Sequence, residues 1–227
     1  VKNVAKRHGL HATFMPKPKN GVDGSGMHIN MSLSRDGRNI FQDSHDPNGL
    51  SQEAYYFLGG ILKHIKGMTL ILNPLVNSYK RLMPGYEAPT HIAWSGKNRT
   101  PLIRIPATRG EETRIELRSP DPACNPYLAL AICLAAGLDG IKNKIVPPDA
   151  MEGNMHLLTP EELEERGIES LPKNLQEAVE EFEKDPLMKE VLGEEVCGKY
   201  SMAKKKEWED YNATVSQWEI DSYLLRI

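Results

Sequence analysis

At 227 residues the chain is long enough for one large domain with a core of its own, and 40% hydrophobic against 26% charged residues is the mix of a globular protein. A formal net charge of −3 gives no reason to expect nucleic acid or an anionic membrane as partner. Three cysteines (Cys124, Cys133 and Cys197) form no Cys-x-x-Cys pair, which argues against a disulfide framework or zinc site and for a reducing, cytoplasmic setting. The longest apolar run, roughly Leu128 to Leu138, is too short to span a bilayer.

In chain order, Val1 to His8 reads as the end of an amphipathic helix, and residues are expected to precede it. His11 to Met15 is expected to be extended and to stop at Pro16 and Pro18. A turn-rich stretch, residues 19–26, leads into a predicted strand from Met27 to Ser34. There Met27, Ile29, Met31 and Leu33 alternate with His28, Asn30 and Ser32. Asp36-Gly37 signals a hairpin turn. Ser51 is a candidate N-cap for a helix through Ile65, and Asn73-Pro74 ends the apolar segment after it. Two prolines and a glycine make Ser78 to Pro89 a predicted loop. Short strands are expected at His91–Ser95, Leu102–Ile105 and Thr113–Arg118. Asn125-Pro126 then opens an apolar helix to about Asn143. Beyond Thr159-Pro160-Glu161-Glu162, a capped start, charged helices continue to the end, punctuated by Pro172 and Pro186. Strands early and helices late predict an α+β fold: an antiparallel sheet backed by helices, with a helical C-terminal region. The organisation expected is residues 1–150 as a mixed unit and 151–227 as its helical extension.

Four groups of residues can carry chemistry. Period two puts His28, Asn30 and Ser32 on one strand face, which suits either a cleft or the wet side of a half-buried hairpin. Arg114, Glu116 and Arg118 share a face in the same way. They fit a site for a metal and anionic substrates, or an ion-pair ladder of little energetic weight. Six arginines between residues 81 and 118 (Arg81, Arg99, Arg104, Arg109, Arg114, Arg118) fit a polyphosphate and carboxylate site, or a solvated basic surface. Residues 84–89 place Tyr86 and Glu87 at the tip of a proline-bounded loop, which is either a lid or a plain turn.

Three segments together resemble one family. They are Gly24-Ser25-Gly26-Met27-His28, the run Asn77 to Pro89, and Arg114-Ile115-Glu116-Leu117-Arg118 followed by Ser119-Pro120-Asp121-Pro122 and Asn125-Pro126-Tyr127. Their order and spacing are similar to those of glutamine synthetase, of the type found in bacteria and archaea, over the C-terminal part of its catalytic domain. The resemblance implies part of that family's catalytic half-barrel. It also implies an ATP-dependent ligase that joins ammonium to the γ-carboxylate of L-glutamate through a γ-glutamyl phosphate, in nitrogen assimilation.

The roles implied are these. His28 and Glu116 hold a divalent metal, Mg²⁺ or Mn²⁺. Asp23, Gly24 and Arg81 bind glutamate. Glu87 closes over the acyl phosphate and accepts a proton from ammonium. Arg99 and Arg118 neutralise the transferred phosphoryl group or the γ-carboxylate. Arg104 and Arg114 meet the nucleotide phosphates, with Asn30 and Ser32 near ATP. The partners implied are glutamate, ammonium and ATP, and a homo-oligomer, a dodecamer in the intact protein, with neither nucleic acid nor membrane.

The departures from the family pattern are local. Asp23 stands where the family usually has asparagine. The loop Thr108 to Thr113 is about one residue shorter than in some relatives. Met155-His156-Leu157 lacks the tyrosine that some bacterial relatives adenylylate, so no such control is expected. The N-terminal β-domain and the remaining metal carboxylates are expected before Val1, and the chain alone is expected to be inactive or nearly so. A relative that attaches glutamate to a larger amine, such as a polyamine, and a non-catalytic homologue are the competing readings.

Overall fold

A computed structural model describes residues 1–98, 100–151, 153 and 158–226. Four short strands form the sheet that carries the site. They are β1 (Ile29–Met31), β4 (Trp94–Ser95), β5 (Ile103–Arg104) and β6 (Ile115–Leu117), in the order β1-β6-β5-β4. β1 and β5 both lie antiparallel to β6, while β4 adds to β5 in parallel. A separate hairpin pairs β2 (Ser34–Arg35) with β3 (Arg38–Asn39). Its turn residues have φ of +52° at Asp36 and +77° at Gly37, the doubly left-handed turn expected of Asp-Gly. The α+β expectation is borne out, helical C-terminal region included.

Helices supply most of the core. Ser51 caps α2 (Gln52–Leu72) by accepting from the Ala54 N–H, and Asn125 caps α4 (Pro126–Asn143) by accepting from Tyr127 and Leu128. α2 continues seven residues past the Ile65 expected, because tertiary packing overrides the poor propensity of Gly67, Thr69 and Ile71. The helices cross where small residues face each other. A Cβ at Gly60 would lie 2.7 Å from Gly140 Cα, and one at Gly140 would lie 2.7 Å from Gly60 N. Only glycine allows backbones that close.

A short α1 (Lys2–Arg7) opens the chain, and α3 (Val76–Arg81) occupies part of the stretch expected to be loop. Beyond α4 come α5 (Pro160–Glu165), α6 (Leu175–Lys184), α7 (Pro186–Leu192), α8 (Glu194–Asn212) and α9 (Gln217–Tyr223). His11 to Met15 takes no regular structure. One buried cluster joins sheet and helices, with Ile29, Ile103, Ile115 and Leu117 packed alongside Phe57, Leu58 and Ile61.

A buried polar clamp ties three of the helical segments. His64 of α2 contacts Asp185, at the corner between α6 and α7, through Nδ1 at 2.8 Å, and Asp139 of α4 through Nε2 at 3.0 Å. Burial pushes the thiols of Cys124 up to about 11 and Cys133 up to about 12, so neither is a nucleophile near neutral pH. Among the described residues no helix is long and apolar enough to cross a membrane.

Candidate active site

Sheet register builds the first half of the site. Asn30 of β1 and Arg104 of β5 both pair with Glu116 of β6, so the three side chains form one row across three strands. His28, two residues before Asn30, reaches the same row. Its Nδ1 lies 2.9 Å from Glu116 Oε1, while Arg104 Nε lies 2.5 Å from Oε2. Glu116 is buried, with both oxygens engaged. Arg114 extends the row. Its Nε donates to Asn30 Oδ1 at 3.1 Å and its Nη1 to Thr108 Oγ1 at 2.7 Å. Glu116 is buried along with its apolar neighbours Ile115 and Leu117.

The second half is a cavity of about 170 Å³ beside that row, lined by Asp23, Gly24, Gly26, His28, Arg81, Tyr86, Glu87, Ala88 and Arg118. Arg81, in the last turn of α3, is buried and donates from Nη1 to the Ser119 carbonyl at 2.7 Å and from Nη2 to the Arg118 carbonyl at 3.2 Å. Those bonds fix one edge of the guanidinium and leave further N–H groups for an anion. The glycines serve Arg81 directly. A Cβ at Gly26 would lie 2.7 Å from Arg81 Nη2, and one at Gly24 would lie 3.1 Å from Arg81 Cγ and strike the Pro16 carbonyl. In the structure, then, the glycine-rich turn first makes room for the buried arginine.

The cavity lining sets two buried cations, Arg81 and Arg118, against two exposed carboxylates, Asp23 and Glu87. Burial lowers the affinity of His28 for a proton, and the Arg118 and Arg81 charges add to that, while the hydrogen bond to Glu116 opposes it. A neutral imidazole is the form that can ligate a metal. Among the described residues no three His, Cys, Asp or Glu side chains are arranged to hold a metal ion. His28 and Glu116 therefore fit as two donors of a larger set, since divalent cations of the Mg²⁺ type take six ligands or so.

The family model "Glutamine synthetase, catalytic domain" matches residues 1–223. The chain belongs to the glutamine synthetase family. It is 58% identical over 224 residues to the glutamine synthetase of Clostridium saccharobutylicum, covering 99% of this chain and 51% of that one. It is 57% identical to the glutamine synthetase of Methanosarcina mazei, covering 99% and 50%. Among solved structures it resembles "GmaS/ADP complex-Conformation 1", with a TM-score of 0.87, 41% identity, and coverage of 98% of this chain and 51% of that one. The chain thus spans about half the length of the family members it matches.

Most of the residues singled out from the sequence meet in these two adjoining groups. Asp23, Gly24, His28, Arg81, Glu87 and Arg118 line the cavity, and Asn30, Arg104, Arg114 and Glu116 form the row. Ser32 sits exposed one residue past β1 and outside the cavity lining. Arg99 lies outside the described residues, as do Met155, His156 and Leu157. Tyr86, Gly26 and Ala88 also line the cavity. Tyr86 was singled out with Glu87 at the loop tip, whereas Gly26 and Ala88 lie next to named site residues but nothing in their own chemistry distinguished them.

Proposed function

We propose that this chain carries the glutamate- and phosphate-handling part of a glutamine synthetase active site. The reaction is ATP-dependent ligation of ammonium to the γ-carboxylate of L-glutamate. The observation that carries this reading is the single cavity in which Asp23, His28, Arg81, Glu87 and Arg118 meet from three separate stretches of chain.

In the first step a γ-carboxylate oxygen attacks the ATP γ-phosphorus, the new O–P bond replaces the bond to the bridging oxygen, and ADP leaves. In the second, Glu87 takes a proton from ammonium, ammonia attacks the acyl carbon, the C–O bond to phosphate breaks, and the departing phosphate takes the surplus proton from the new amide nitrogen. Arg81 holds the glutamate α-carboxylate by a charge-assisted fork. Asp23 and the Gly24 backbone meet its α-ammonium. Arg118, joined by Arg99, offsets the charge on the transferred phosphoryl group, the main demand of phosphoryl transfer. Glu87, exposed on the loop above, accepts the proton as the loop closes and water is excluded. His28 and Glu116 fit a divalent cation, Mg²⁺ or Mn²⁺, which supplies charge neutralisation at the phosphates. Arg104 is paired with Glu116, and release of that pair frees its guanidinium, with Arg114, for nucleotide phosphates.

The test is a chimera in which this chain replaces the matching half of the Clostridium saccharobutylicum relative. Glutamate, Mg-ATP and ammonium, or a panel of larger amines, are supplied, and phosphate release and product mass are followed. Glutamine from ammonium is expected, and products from larger amines alone would move the chain to an amine-ligase reading. Glu87→Gln in the chimera is expected to cost at least about 100-fold in kcat, the usual scale for loss of a general base.

A further inference from the structure

Behind the loop that carries Tyr86 and Glu87 lies a second cavity, of about 560 Å³. Of its lining, Tyr86 alone is shared with the site described above. Lys17, Lys80 and Lys173 line it, with no aspartate or glutamate among the lining residues. Tyr86, Trp208 and Tyr211 give it ring surface. The Trp208 and Tyr211 centroids are 5.8 Å apart, Lys17 Nζ lies 3.5 Å from the centroid of Tyr86, and Lys80 Nζ lies 5.2 Å from that of Tyr211.

Two buried polar groups here lack the partners that burial ordinarily demands. Lys17 is 8% exposed. Its ammonium donates to the Val22 carbonyl and faces the Tyr86 ring, and among the described residues it is ion-paired to no carboxylate. Lysines this buried are normally paired with an anion. Tyr79 is 4% exposed and lines the same cavity, and its hydroxyl has no hydrogen-bond partner. Nearby carboxylates are already used. Glu207 accepts from the Val76 N–H at 3.2 Å and from Lys204 at 2.8 Å, and Glu177 accepts from the Lys173 N–H at 2.8 Å and from Asn174 at 2.6 Å.

We propose that this cavity binds a small organic anion, a carboxylate or phosphate carried on a flat ring. Lys17, Lys80 and Lys173 supply the positive charge. Trp208, Tyr211 and the outer face of Tyr86 pack on the ring. The volume is within the range of small-molecule sites. Because Tyr86 walls both cavities, the occupant sits directly behind the loop that carries Glu87.

The 227-residue chain is titrated with phenyl phosphate, benzoate, inorganic phosphate and neutral benzamide, with the fluorescence of Trp208 as readout and W208F as the blank. Phenyl phosphate or benzoate is expected to saturate at least tenfold more tightly than benzamide and inorganic phosphate. Saturation by one of the two alone supports the site and identifies its anion. K17M is expected to weaken binding at least tenfold. Should that variant fold poorly, the exposed rim pair K80M/K173M is expected to do the same without touching the core. Equal binding of benzamide, affinity unchanged in K80M/K173M, or no saturation by either ring-bearing anion would overturn the proposal.

Discussion

Arg81 shows how one buried side chain serves structure and chemistry together. Its guanidinium satisfies the Arg118 and Ser119 carbonyls and depends on two glycines for room. Arg81→Ala therefore leaves buried acceptors unpaired, and a loss of about 2–4 kcal/mol is expected in urea unfolding. An unchanged midpoint would show that solvent replaces those bonds. His64 makes a sharper case. A neutral imidazole has one N–H, yet His64 faces a carboxylate at each nitrogen, so only the doubly protonated ring satisfies both. Burial presses the imidazole down, but the hydrogen bonds to Asp185 and Asp139 outweigh it, and its folded value lies above the ordinary 6.5. The sign follows. His64 contributes its full stabilisation below pH 6.5, and that is lost as pH rises through the folded value. Asp139 is held below its usual 3.8; burial opposes this, and the bonds from His64 and Lys63 prevail. Its contribution is present above pH 3.8 and lost as acid passes the folded value. Urea midpoints of the native chain and His64→Gln are thus expected to differ most in mildly acidic buffer and to converge as the pH is raised. A constant difference would show that the ring stays in one protonation state.

At the scale of elements, the contact between α2 and α4 sets the strongest requirement. Gly60→Ala or Gly140→Ala forces apart backbones whose heavy atoms would meet the new methyl group at under 3 Å. About 1–3 kcal/mol of destabilisation is expected. Gly198, inside α8, has nothing within 4 Å of a built Cβ. Gly198→Ala is expected to be neutral or stabilising by up to about 1 kcal/mol, and thermal melts of the three variants separate close approach from helix propensity. The same contrast explains what the sequence made legible. The start of α4 was readable because Asn125-Pro126 is a local cap, and the Asp36-Gly37 hairpin was readable because its turn needs left-handed residues. α3 was not, since a six-residue helix between prolines is stabilised by packing rather than by its own sequence. Nor was the parallel addition of β4, or Arg104 as the partner of Glu116, because sheet order depends on contacts remote in sequence. Period two correctly grouped His28 with Asn30, but it could not reveal that Glu116 is buried between His28 and Arg104.

At the scale of the whole molecule, the site is rich in cations and poor in metal donors. Arg81, Arg104, Arg114 and Arg118 converge on it, while His28 and Glu116 are the donors the row provides. Elsewhere, one face of α4 carries Tyr127, Leu130, Leu134 and Leu138 at 84%, 53%, 47% and 46% exposure, spaced three and four apart, opposite the face packed on α2. An apolar stripe of that kind ordinarily seats another element, and the family members matched here are about twice as long as this chain. On the proposed reading, His28 and Glu116 are the two donors found among the described residues, fewer than the six or so ligands a divalent cation of the Mg²⁺ type takes, and a misplacement of about 1 Å costs roughly 100-fold. The isolated chain is accordingly expected to form glutamine at least about 100-fold more slowly than the chimera with the remaining half supplied. Equal rates would mean that two donors and the arginine cluster suffice. Mn²⁺ binding, measured by electron paramagnetic resonance on the same two proteins, separates the causes. If the deficit comes from missing donors, the isolated chain binds Mn²⁺ weakly and His28→Ala weakens the chimera as well. If the deficit comes from the uncovered α4 face, Mn²⁺ affinity matches in the two proteins and Leu130→Glu/Leu134→Glu changes association without changing metal binding.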